Sequence, residues 1–72
     1  MQAATARFSF EEMKSRRQEA ALTQAAIAEH IGIGQTAVSQ WETGRVRPSG
    51  ENLEKLASLL GCSPSDLLAD QL

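Results

Sequence analysis

Helix punctuation recurs along this chain at intervals too short for any long element. Ser9-Phe10-Glu11-Glu12 has the form of a capping box, and Phe8 with Met13 stands at hydrophobic-staple spacing around it. Thr23 and Ser49 are further N-cap candidates. Ser63-Pro64-Ser65-Asp66 supplies a cap, a proline at the first helical position and an acid at the third. Gly32, Gly44 and Gly61 are the matching stops, since glycine enters the left-handed conformation without steric penalty. The pattern predicts five short helices, at 10–20, 24–31, 35–43, 50–60 and from 64 onward. Strands have little support: β-branched residues are scattered and no stretch alternates. Arg45-Val46-Arg47-Pro48 reads as a loop, because the residue before proline avoids the helical region.

Each helix has an apolar face. Ile27 and Ile31 share one face of the second; Val38 and Trp41, with Ala37 beside them, supply that of the third. Leu53, Leu56, Ala57 and Leu60 recur at helical spacing in the fourth. Leu67, Leu68 and Leu72 are the apolar contacts of the last, covering the core or sharing in a dimer interface. With 72 residues there is room for one small domain, whose core is marginal without a staple. A single cysteine excludes an internal disulfide, and Cys62 with the lone His30 falls short of a structural zinc set. Compact helix packing with a partner subunit is the remaining route, with no cofactor and no metal. We place an N-terminal arm at 1–8 and the folded domain at 9–70. No apolar run approaches the ~18 residues of a membrane span, and the N-terminus lacks a signal-peptide core. A cytoplasmic bacterial protein is expected, nucleoid-associated on the reading that follows.

The informative spacing lies between 23 and 43. Two short helices joined by Gly32-Ile33-Gly34 form a helix-turn-helix, and so tight a turn forces a sharp angle that pushes the second helix outward. With Val38 and Trp41 turned inward, the outer face comprises Gln35, Thr36, Ser39 and Gln40. A glutamine can pair with both N6 and N7 of adenine, and a threonine methyl can touch the methyl of thymine. Arg45 and Arg47 follow directly. A net charge of −2 permits only weak non-specific affinity for a polyanion. The first fifty residues nevertheless carry +1 and the last twenty-two −3, which leaves room for a small basic face.

The ordered set from Leu22-Thr23-Gln24-Ala25-Ala26-Ile27-Ala28, through Gly32-Ile33-Gly34-Gln35-Thr36-Ala37-Val38-Ser39-Gln40-Trp41-Glu42-Thr43-Gly44, to Pro48-Ser49-Gly50-Glu51-Asn52-Leu53 resembles the Cro/repressor (XRE-like) type of helix-turn-helix. The likeness is nearest to the DNA-binding domains of lambdoid-phage repressors, and it covers residues 10–70. It implies an all-α, compact five-helix, lambda-repressor-like domain that binds a palindromic operator in double-stranded DNA as a homodimer. The expected function is that of a sequence-specific transcriptional regulator of repressor type. By position, the resemblance makes Gln35, Thr36 and Gln40 base-reading residues, with Ser39 a neighbouring contact. It makes Gln24, Arg45, Arg47 and Asn52 phosphate contacts. Gly34 departs from the pattern, where a hydroxyl residue commonly caps the third helix. Physical chemistry points the same way at Gln24, because the first N–H groups of a helix are unpaired and carry partial positive charge.

Other residues have plainer readings. Trp41 is a core anchor. Phe10, Met13 and Arg17 follow helical spacing, so the guanidinium lies near the apolar face and needs a carboxylate there. Glu42 is the candidate, and the resemblance implies the same structural pair. His30 is a surface residue, Cys62 a small core residue, and Lys14 with Arg16 a solvated helix face within reach of phosphate. Arg7 gives the arm a phosphate-seeking group. A second class, an antitoxin binding both its promoter and a toxin, would need an additional segment or exposed patch for the toxin, and the chain shows no long tail. An enzyme is not expected: the chain has no glycine-rich phosphate loop and no plausible acid pair, and small-molecule substrates and membranes are not expected partners.

Overall fold

The computed structural model describes residues 5–71, and of the side chains those of residues 7–68. In chain order the elements are β1 (Thr5–Phe8), α1 (Phe10–Glu19), α2 (Gln24–Ile31), α3 (Gln35–Glu42), α4 (Gly50–Leu60), a 3-10 turn (Pro64–Leu67) and β2 (Leu68–Gln71). The helical class and the positions of the first four helices match the sequence reading.

The caps explain why these segments start and stop where they do. Thr23 accepts the N–H of Ala26 at 3.0 Å, and Ser49 that of Asn52 at 3.3 Å, each satisfying one otherwise unpaired donor. Gly32 and Gly61 close α2 and α4 at φ of +86° and +74°. Ser9 accepts from the Glu12 N–H at 3.2 Å, but the reciprocal half of that box is not made. Instead the Glu12 carboxylate takes the Arg16 side chain at 2.8 Å, and the Ser9 N–H donates to the carbonyl of Leu67 at 2.7 Å.

That last bond bears on the chief correction to the sequence reading. The fifth helix is a single 3-10 turn, after which the chain extends. The Ser63–Asp66 box does form, with the Asp66 carboxylate accepting both the N–H and the hydroxyl of Ser63 at 3.0 Å. It starts one turn only: Leu68 is already extended (φ −111°, ψ 147°), and the carbonyl of Leu67 accepts from Ser9. Leu68–Gln71 then pairs antiparallel with Thr5–Phe8, placing Phe8 opposite Leu68 and Arg7 opposite Ala69. Residues 5–8 of the N-terminal segment therefore form one strand of a ribbon; residues 1–4 and the expected contact of Leu72 lie outside the described residues.

The core gathers one or more side chains from each helix and from the turn. Met13, Ile27, Val38, Leu56 and Leu67 are fully buried, with Ala28, Ile31, Trp41 and Ala57 completing the cluster. Full burial of a large aliphatic side chain contributes about 1.5–3 kcal/mol. Leu53, Leu60, Phe8 and Cys62 pack against this cluster half-buried. No helix among the described residues is long and apolar enough to cross a membrane.

Candidate nucleic-acid interface

Helices α2 and α3 pack on one another through a turn whose hydrogen bonds converge on one carbonyl. Ala28 accepts from the N–H groups of both Gly32 (2.8 Å) and Ile33 (3.0 Å), which reverses the chain within three residues. Ile33 tucks against the core, and Gly34 opens α3 without a side-chain cap. Val38 and Trp41 anchor the inner face of α3, and Trp41 is 3% exposed as a core residue should be.

This anchoring decides what the outer face presents. Gln35 and Thr36 are exposed at the start of α3, while Ser39 and Gln40 are half-buried farther along. The backbone of Gln40 has a role that side-chain reasoning missed. Its carbonyl accepts the Arg45 N–H at 3.0 Å, the Val46 N–H at 3.3 Å and the Thr43 hydroxyl at 3.2 Å. The loop bearing the exposed Arg45 and Arg47 is thereby folded back on the end of α3. Asn52 sits half-buried in the first turn of α4. Beside this loop a shallow groove of about 280 Å³ is lined by Arg7, Phe10, Glu11, Gly44, Val46 and Arg47. Phe10 and Val46 are the exposed large apolar residues among those described.

Arg17 and Glu42 are paired as the sequence suggested. The Arg17 guanidinium donates to both carboxylate oxygens, through Nε to Oε2 and through Nη2 to Oε1 at 3.1 Å. Arg17 and Glu42 side chains are 14% and 3% exposed. Two further partners were not foreseen. Arg17 Nη1 donates to the carbonyl of Leu22 at 2.9 Å, and Gln24 Nε2 donates to Glu42 Oε1 at 3.1 Å. Gln24, the first residue of α2, is thus held by the last residue of α3. Among the described residues no buried side-chain nitrogen or oxygen lacks a partner.

Several other titratable groups have settled surroundings. His30 and Lys14 are exposed, and Arg16 pairs with Glu12. Burial pushes the Cys62 thiol up, while the Ser63 N–H, followed by its hydroxyl, holds the Asp66 carboxyl below its usual range. No three His, Cys, Asp or Glu side chains among the described residues are grouped to hold a metal ion. The face built by α3 and the following loop therefore offers amide and hydroxyl groups at one end and guanidinium groups at the other. That combination suits base edges flanked by phosphates.

Comparison with known proteins places this geometry among relatives. The helix-turn-helix family pattern matches residues 13–67. Repressor protein C2 of Salmonella phage P22 is 40% identical over 62 residues, covering 86% of this chain and 29% of that protein. The HTH-type transcriptional regulator DicA of Escherichia coli K12 is 40% identical over 58 residues, covering 81% of this chain and 43% of that protein. The chain thus spans less than half the length of these two curated relatives. Among solved structures, the P22 c2 repressor in complex with synthetic operator 9T superposes with a TM-score of 0.79 at 38% identity, over 85% of this chain and 92% of that one. Hydroxypropylphosphonic acid epoxidase from S. wedmorenis matches with a TM-score of 0.76 at 30% identity, over 83% of this chain but 32% of that enzyme.

Proposed function

Because the chain belongs to the helix-turn-helix family, with the match spanning 13–67, we propose that it is a sequence-specific DNA-binding regulator of transcription, of repressor type. On this reading α3 enters the major groove of duplex operator DNA, where Gln35, Thr36 and Gln40 read base edges with Ser39 beside them. Gln24, Arg45, Arg47 and Asn52 hold the phosphates and fix the register. The observation that carries the reading is the division of α3. Val38 and Trp41 fasten one side to the core, so Gln35 and Thr36 stand out at the helix start, with Arg45 and Arg47 beyond its end.

Half-buried Gln40 and Ser39 sit deeper on the same helix, so the reading face is tilted toward its N-terminal end. Such a docking, N-terminal residues first, is how recognition helices meet base edges. The P22 repressor structure with its synthetic operator supports the same placement, since it shares this fold over nearly the whole chain. The epoxidase match covers 32% of that enzyme, so the helical fold is what the two have in common. We take the active unit to be a homodimer in the bacterial cytoplasm, its two α3 helices about 34 Å apart on one face of a palindromic operator.

Selection of bound sequences from a pool of random duplexes tests this reading. The expected product is a two-fold-symmetric site whose half-site centres lie about one helical turn apart, bound with a steep salt dependence. Failure to enrich any sequence at low salt, also with an enforced dimer, would refute it.

A further inference from the structure

Gln24 is the first residue of α2, where the leading N–H groups have no intrahelical acceptor and Thr23 satisfies only that of Ala26. A glutamine side chain at an open helix end is ordinarily free to sample its rotamers, and a phosphate contact must then order it. Here it is already ordered. Its Nε2 lies 3.1 Å from Oε1 of Glu42, a side chain 3% exposed and held in turn by Arg17. A carboxylate only accepts hydrogen bonds, so it selects the nitrogen end of the carboxamide; the flipped amide would set oxygen against oxygen. One N–H of Nε2 is used in this bond and one remains to donate. Arg17, bonded to both oxygens, neutralises the carboxylate, so an anion can approach Gln24 without meeting an uncompensated negative charge.

Resting on the reading of Gln24 as a phosphate contact, we propose that Glu42 is a positioning residue for DNA binding: it presets the Gln24 carboxamide, nitrogen inward, so that the second N–H meets a backbone phosphate at the mouth of α2. Arg17, Glu42 and Gln24 then act as one unit. The tie between α1 and α3 that steadies the fold also sets the geometry of a ligand contact on α2.

The test is a double-mutant cycle on the duplex that the wild-type chain selects from a random pool. Gln24→Ala is made in the wild type and in a chain carrying Arg17→Met and Glu42→Leu together. That paired replacement removes both charges at once, so it leaves no buried ion unpaired. Loss of one hydrogen bond to a phosphate anion should weaken wild-type binding roughly tenfold or more. The paired replacement should weaken binding by a similar factor, and adding Gln24→Ala to it should cost nothing more. Ethylation of phosphates supplies a readout that a purely structural role would not move. One phosphate per half-site should interfere in the wild type and cease to interfere in both variants. If the paired replacement does not fold, Glu42→Gln, which keeps an oxygen for Arg17, serves in the same cycle. Equal losses from Gln24→Ala in both backgrounds, or none in the wild type, overturn the proposal while leaving DNA binding intact. A wild-type chain that selects no duplex overturns both.

Discussion

The ring of Phe10 lies against the α-carbon of Gly44, so closely that a Cβ built on that glycine would stand 3.0 Å from ring atoms Cδ1 and Cε1. Gly44 adopts φ of +80°, outside the range most side chains accept. The first residue of α1 thus seats the turn after α3, and the turn carries Arg45 and Arg47.

Gly44→Ala should accordingly be costly for two separate reasons. The left-handed backbone costs roughly 1–2 kcal/mol for a residue with a Cβ, and the ring must also move. Urea denaturation should show a loss of about 2 kcal/mol or more, a figure built on that backbone term. In a Phe10→Ala background the steric part should vanish and the backbone part remain.

The Arg17–Glu42 pair makes a prediction of opposite character for one change and for two. Arg17→Ala strands a carboxylate that is 3% exposed, and breaking a buried pair in this way costs about 3–5 kcal/mol. Replacing both partners by Met and Leu should bring stability back to within about 1 kcal/mol of the wild type, since no charge is then left unpaired. Thermal or chemical denaturation of the three chains checks the ordering.

Acid should loosen the C-terminal turn through Asp66. The Ser63 N–H and hydroxyl stabilise the carboxylate, so its folded pKa lies below its unfolded one. A depressed pKa contributes stability that is present above the ordinary carboxylate range and fades as pH falls below about 4. Asp66→Asn should be less acid-sensitive than the wild type in denaturation midpoints followed across that window.

On DNA the two ends of the interface should separate. Gln35→Ala should relax preference at one base position, by roughly 1–3 kcal/mol of discrimination, and barely alter affinity for random duplexes. Arg47→Ala should weaken binding to every duplex and lower the salt slope by about one. Titrations of each variant on selected and random duplexes, at several salt concentrations, distinguish these outcomes.

Local rules made much of this legible from residues alone. Thr23, Ser49, Gly32 and Gly61 act where they stand in sequence, so α2 and α4 begin and end as their caps require. The Arg17–Glu42 pair is legible because a guanidinium on an apolar face needs a carboxylate and leaves few acceptors to choose from. The terminal ribbon was hidden for the opposite reason. Thr5–Phe8 and Leu68–Gln71 are four-residue strands too short to show alternation, and each gains its hydrogen bonds from the far end of the chain. The bond from Ser9 to Leu67 is equally non-local, and it takes up the N–H that the reciprocal half of the box at α1 would have used. Within the interface, exposure of Gln35 and Thr36 followed from the inward anchors Val38 and Trp41. The hold of Glu42 on Gln24 and the three donors on the Gln40 carbonyl depend on how helix ends converge, which residue spacing does not encode.

The most direct measurement is a titration of isotopically labelled chain with the selected duplex, followed through backbone amide chemical shifts. The largest changes should fall on Gln24 and Ala25, on Gln35 through Gln40, and on Arg45 through Arg47. The amides around the groove between α2 and α4, lined by His30, Ile31, Glu54, Lys55, Ser58 and Leu59, should stay in place. Changes centred on that groove, with α3 and the arginine loop unmoved, would contradict docking through α3.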